Sequence, residues 1–165
     1  MHTSLTKIRQ VTLDSNIFGG ALEDEGDYDP RSFEYWEIVS SKAIFRLTSK
    51  LAVYGCPPVE RELRQAPEPL RRQLLNVYSS VKSLGTNSLV IRLSREYARS
   101  GIYAPDALIL AYSSAHRIDA LVTMNKRHLK NPSIIKKIRM INKKHRLPEL
   151  LVLLPSELLE LLRNM

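Results

Sequence analysis

Cysteine is nearly absent from this 165-residue chain, where Cys56 stands alone. No intramolecular disulfide can form, and with no repeated Cys/His spacing the sequence argues against a structural zinc site. Long apolar runs are also lacking. None approaches the roughly 20 consecutive apolar residues a membrane helix needs. The N-terminal stretch Met1–Val11 carries basic residues but no signal-like apolar segment. These shortages predict a protein of the reducing cytoplasm with no membrane span. Acidic charge is the scarcer sign, with 17 Asp and Glu against 25 Lys and Arg, a net charge of +8. That excess favours polyanion partners, because Lys and Arg displace the counterions condensed on nucleic acid. A solvated basic surface is the plain alternative. Repeats, low-complexity tracts and interdomain linkers are missing, which predicts one domain over residues 1–165.

Hydrophobic residues make up 44% of the chain, enough for one core. Val11-Thr12-Leu13 reads as a strand that runs into the turn and cap residues Asp14-Ser15-Asn16. Gly19-Gly20 and the acidic run Glu23–Asp29 read as a loop up to Pro30. Helical spacing follows at Phe33, Trp36, Val39, Ala43, Ile44, Leu47 and Leu51, although a strand within Ala43–Thr48 fits too. Tyr35 and Trp36 read as core or dimer-contact residues. Leu51–Tyr54 reads as a strand closed by Gly55, and Pro57-Pro58 opens a helix from Val59 to about Gln65. Further helices are predicted over Glu68–Lys82 and over Leu89–Arg99, the latter ending at Gly101. A strongly apolar helix opens at Pro105-Asp106 and runs to about His116. Ala120–Thr123 and Leu150–Leu154 read as buried strands. Ile134–Lys144 reads as a basic helix, and a last helix starts at Pro155. Apolar strands alternating with helices predict an α/β fold: three layers, α/β/α, around a mainly parallel sheet of four to five strands.

In such a sheet, sites form beyond the carboxyl ends of the strands. Asp14 follows the first strand, and Asn125 follows Ala120–Thr123. Glu60 and Glu62 lie on the helix after the second strand, and Asp106 opens the buried helix. Each has a bland alternative. Asp14 and Asp106 sit where carboxylates cap helices, the two glutamates sit on a surface helix, and Asn125 suits a turn. As a set, two or three carboxylates with an amide or water form a hard oxygen shell suited to Mg²⁺ or Mn²⁺. His128, in the turn Asn125-Lys126-Arg127-His128, either touches substrate phosphate or faces solvent.

Four segments in order resemble the PIN-domain family of metal-dependent ribonucleases. Val11-Thr12-Leu13-Asp14-Ser15-Asn16-Ile17 looks like its opening strand with the first catalytic aspartate. Val59-Glu60-Arg61-Glu62-Leu63 looks like its Glu-Leu segment, and Ala104-Pro105-Asp106-Ala107-Leu108-Ile109-Leu110-Ala111 is similar to its central Asp-Ala motif. Asp119-Ala120-Leu121-Val122-Thr123-Met124-Asn125 resembles the strand ending in Thr-x-Asp or Thr-x-Asn. The resemblance covers nearly the whole chain. It implies an endoribonuclease in which Asp14, Glu62 and Asp106 are metal-site carboxylates and Asn125 takes a fourth position. Thr123 and Asn16 would support them. Glu62 is preferred to Glu60 because Leu63 follows it. Asp119 precedes its strand and is read as structural. Many members of this size are toxins of toxin–antitoxin pairs, called VapC, which act as homodimers and are silenced by a small antitoxin. Asn125, an amide where aspartate is common, leaves open a catalytically weak RNA- or protein-binding module, and ribosomal RNA processing is a further alternative.

Overall fold

The computed structural model describes residues 7–164. The chain builds a five-stranded sheet in the order β3-β2-β1-β4-β5, and every neighbouring pair is parallel. The strands are β1 (Gln10–Leu13), β2 (Ala52–Gly55), β3 (Lys82–Ser83), β4 (Ala120–Val122) and β5 (Leu151–Leu153). Val11 pairs with Val53 on one side and Ala120 on the other, and Ala120 pairs in turn with Leu151. Val11, Leu13, Ala120, Leu121 and Val122 are wholly buried, as expected of strands covered on both faces.

Among the described residues eight α-helices cover the sheet: α1 (Ser15–Leu22), α2 (Phe33–Phe45), α3 (Pro57–Leu63), α4 (Leu70–Tyr78), α5 (Ser88–Arg99), α6 (Ala104–Ala115), α7 (Pro132–Lys144) and α8 (Pro155–Arg163). One group joins α1 to α2, α3 and α4, with α8 against α2, and a second joins α5 to α6 and α7. Right-handed crossovers place these groups on opposite faces of the sheet, giving three layers. Among the described residues no helix is long and apolar enough to cross a membrane.

The sequence expectations fail in four places. Gly19-Gly20 is not loop but the middle of α1. A Cβ on Gly20 would lie 2.7 Å from Met124 Cε and 3.2 Å from Ser41 Oγ, so glycine there allows α1 to meet α2 closely. The predicted α2 face is also displaced. The helix stops at Phe45, with no strand within Ala43–Thr48, and it buries Glu37, Ile38, Ser40, Ser41 and Ile44. Trp36 is not core; it is 54% exposed. Glu37 can be buried because its carboxylate accepts the backbone N–H (2.9 Å) and hydroxyl (2.7 Å) of Ser156, in the first turn of α8. Finally, the helix predicted through Lys82 ends at Tyr78, and Lys82-Ser83 becomes the short edge strand β3.

A buried polar knot ties the second helix layer together. The Tyr97 hydroxyl donates to Asn142 Oδ1 and pairs with the Ser114 hydroxyl at 3.0 Å, while Asn142 Nδ2 donates to Ser114 Oγ at 2.9 Å. Tyr97→Phe removes the hydroxyl and strands the Asn142 oxygen. An unpaired buried polar group costs about 1–3 kcal/mol, so chemical denaturation should show a loss of that size with an unchanged fold.

Candidate metal and nucleic-acid site

The strand order turns at β1. From there the chain steps outward to β2 and β3, then crosses back to β4 and β5 on the other side. Helices leave the sheet in opposite directions at that point, which opens a crevice beyond the carboxyl ends of β1 and β4. A cleft of about 770 Å³ lies there, lined by Asp14, Asn16, Arg61, Glu62, Tyr103, Asp106, Asn125 and His128, among others.

Asp14 comes directly off β1. Its extended backbone (φ −71°, ψ 161°) makes it the N-cap of α1, and Oδ1 accepts the Ser15 N–H at 2.8 Å. Its other oxygen accepts the Thr123 hydroxyl at 2.7 Å. Thr123, wholly buried at the end of β4, also accepts the Asn125 N–H at 3.0 Å. Asn16 closes the group: Oδ1 accepts the Met124 N–H at 3.2 Å, and Nδ2 reaches Thr123 Oγ1 at 3.5 Å. The first two strands of the site are therefore locked through side chains, and Asp14 is 6% exposed. Burial pushes its carboxyl above the ordinary aspartate value, against the pull of the Thr123 and Ser15 hydrogen bonds, and the Glu62 charge adds to the rise.

Asp106 lies in the first turn of α6 and is 8% exposed. Burial pushes it up to about 6; the Asp14 and Glu62 charges raise it further and His128 opposes them, with no hydrogen bond holding the charged form. Its carboxyl is thus not occupied in capping, whereas that of Asp14 is. Glu62 points into the cleft from α3. Glu60 does not line it; at 3.1 Å it pairs with Arg64, one turn along. Asp119 lies at the far end of the sheet, where Oδ2 accepts the Arg9 and Gln10 N–H groups at 2.8 and 3.0 Å.

Asn125 reaches the cleft, but its Oδ1 accepts the His128 N–H at 2.9 Å and its backbone oxygen accepts from Leu129 and Lys130. It shapes the turn that presents His128. Sequence reasoning passed over Tyr103, Arg61 and Gln65, which also line the cleft. The one signal available for Tyr103 was its place directly before the Ala104-Pro105-Asp106 helix start.

The donor set fits a hard divalent cation. Three carboxylates face one cleft, and Arg61 is the one Lys or Arg lining it among the described residues. Without a cation, the Glu62 charge raises the proton affinity of Asp14, and the Asp14 and Glu62 charges raise that of Asp106, a repulsion that Mg²⁺ or Mn²⁺ would relieve. Among the described residues no three Asp, Glu, His or Cys side chains stand close enough to enclose an ion as they are. Glu62 is the exposed member, so its side chain has freedom to swing inward. Thr123→Val is expected to release Asp14 and leave the Asn125 N–H unpaired. It should cost about 1–3 kcal/mol in denaturant unfolding and roughly 10–100-fold in metal affinity, as is usual for partners of a ligand.

No family model matches the chain, and no curated protein matches it. Its fold is similar to that of a chain in the crystal structure of VapBC2 from Rickettsia felis bound to a DNA fragment from their promoter. That similarity has a TM-score of 0.52 at 16% identity, over 87% of this chain and 97% of the other. At that identity the likeness is one of fold.

Proposed function

We propose that this chain is a Mg²⁺- or Mn²⁺-dependent endoribonuclease whose cation is held by Asp14, Glu62 and Asp106. The observation that carries the reading is the convergence of these carboxylates, from three elements, on the crevice at which the sheet order turns. A bound divalent ion supplies a lowered pKa for attacking water and charge neutralisation at the phosphate. The protein's own groups do the rest. Thr123 and the Ser15 N–H fix the Asp14 carboxylate. Arg61, which also lines the cleft, would hold the RNA phosphates that three acids would otherwise repel. The net charge of +8 favours the polyanion across the remaining surface.

The likeness to the VapBC2 structure supports a toxin-like role with an antitoxin partner; a homodimeric state is what the PIN-domain resemblance implies. Exposed Phe33 and Trp36 on α2, 40% and 54% accessible, supply apolar surface for either. A second reading, an RNA- or protein-binding module with weak cleavage, draws on Asn125, whose amide oxygen is already engaged by the His128 N–H.

Incubation of the purified protein with unstructured RNA tests both. The nuclease reading expects cleavage with Mg²⁺ or Mn²⁺ and none with EDTA. Metal-independent cleavage contradicts it. Tight RNA binding with no cleavage, unaffected by EDTA, favours the second reading.

A further inference from the structure

Tyr103 is 66% exposed, the most exposed large hydrophobic side chain among the described residues. Its position is not a free surface, since it lines the same cleft as Asp106, three residues along. It is the N-cap residue of α6, yet its side chain makes no capping bond. Opposite it stands the imidazole of His128, presented by the Asn125 turn, with ring centres 6.4 Å apart and planes tilted by 39°. A large aromatic left in water at the rim of a cleft has surrendered the burial that usually stabilises it, and the packing of α6 does not need the ring. Two rings that each meet a planar guest at roughly 3.5 Å must stand about 7 Å apart and nearly parallel. The centre-to-centre distance here is near that value, and the 39° tilt must close for both rings to lie flat on one guest.

We propose that Tyr103 and His128 form a jaw that stacks one unpaired base of the RNA beside the carboxylate site. The proposal rests on the ribonuclease reading above and assigns that site a positioning residue. A base held on Tyr103 places its backbone over the mouth of the cleft, between Arg61 on α3 and the Asp106 end of α6. A paired base offers no free face to such a jaw, so the device selects unpaired nucleotides. Stacking carries little base identity; Gln65, which lines the same cleft, is one neutral polar group able to read a base edge.

The test uses the full chain in EDTA, so that no cleavage is required, and a 10-nucleotide RNA carrying a central 2-aminopurine, either single-stranded or annealed to its complement. The single strand should bind more tightly than the duplex and its 2-aminopurine fluorescence should be quenched. Tyr103→Ala should weaken single-strand binding by roughly five- to 150-fold, the range for loss of one base–aromatic stack, and abolish the quenching. Tyr103→Phe should restore both, because the ring and not the hydroxyl does the stacking. Unchanged affinity and quenching in Tyr103→Ala overturns the jaw and leaves the nuclease reading standing, as does equal affinity for duplex. Failure of the wild type to bind the single strand overturns the jaw as well. Cleavage by Asp106→Asn at the wild-type rate would overturn the nuclease reading alone, with the Tyr103 dependence of binding intact.

Discussion

Asp106→Asn is expected to lower RNA cleavage by about 100-fold or more while RNA binding in EDTA is retained. Removing a group that merely supports a metal ligand commonly costs 10–100-fold; replacing the carboxylate itself should cost at least the upper end of that range. Asparagine keeps the size of the side chain and its place in the first turn of α6, so lost packing cannot account for the defect. It also removes one of three negative charges from the cleft. If these charges served only to repel or to cap, RNA affinity would improve and cleavage would hold. Single-turnover kinetics on one labelled RNA, with Mn²⁺ at several concentrations, separates the outcomes. A defect that high Mn²⁺ partly rescues identifies a ligand. A defect insensitive to Mn²⁺ identifies another role.

The second large effect concerns stability. Asp106 rises from an ordinary 3.8 to about 6 in the folded protein, chiefly through burial. A carboxyl whose folded pKa is raised contributes stability that is present below the unfolded value and lost as pH climbs through the folded value. A shift of about 2 units corresponds to roughly 3 kcal/mol at most. In the absence of divalent cation, wild-type stability relative to Asp106→Asn should therefore fall by up to that amount as pH climbs from about 4 to about 6, with the steepest change between the two values. Asp14 is shifted in the same direction and adds to the slope of the wild type. Mn²⁺ at neutral pH should reverse the loss, because it binds the folded site and not the unfolded chain. Denaturant titrations of both proteins across pH, with EDTA and with Mn²⁺, measure this directly. A pH-independent difference would mean that Asp106 is not held in a costly ionised state.

Much of this architecture is legible in the residues. The strands announce themselves as short apolar runs at Val11–Leu13, Ala120–Thr123 and Leu150–Leu154, because a parallel sheet covered on both faces needs no polar alternation. Gly101, with φ +101°, marks the end of α5 as its type suggests. What escaped was decided by partners distant in sequence. The edge strand Lys82-Ser83 is two exposed polar residues and carries no apolar signal; β2 alone makes it a strand. Helix α1 carries Gly20 because Ser41 of α2 and Met124 press against it there. The buried face of α2 looked polar because Glu37 finds its partner 119 residues away. At the candidate site, residue type and position relative to the strands pointed to Asp14, Asp106, Asn125 and a glutamate of α3, and the family resemblance chose Glu62 over Glu60; one cleft is lined by those four residues and not by Glu60. The engagement of Asn125 by its own turn is local and fits the turn reading, whereas the Thr123 bond to Asp14 and the Tyr103–His128 pairing are tertiary facts that no spacing encodes.

The central claim is that three carboxylates at the crevice hold one divalent cation. Titration of Mn²⁺ into the purified protein, followed by loss of the free-ion electron paramagnetic resonance signal, tests it without any RNA. The account predicts one bound Mn²⁺ per chain in the wild type, displaced by Mg²⁺, and little or none in Asp14→Asn and Asp106→Asn proteins whose circular dichroism is unchanged. A wild type that leaves the Mn²⁺ signal untouched, or variants that bind it as tightly, would contradict the account.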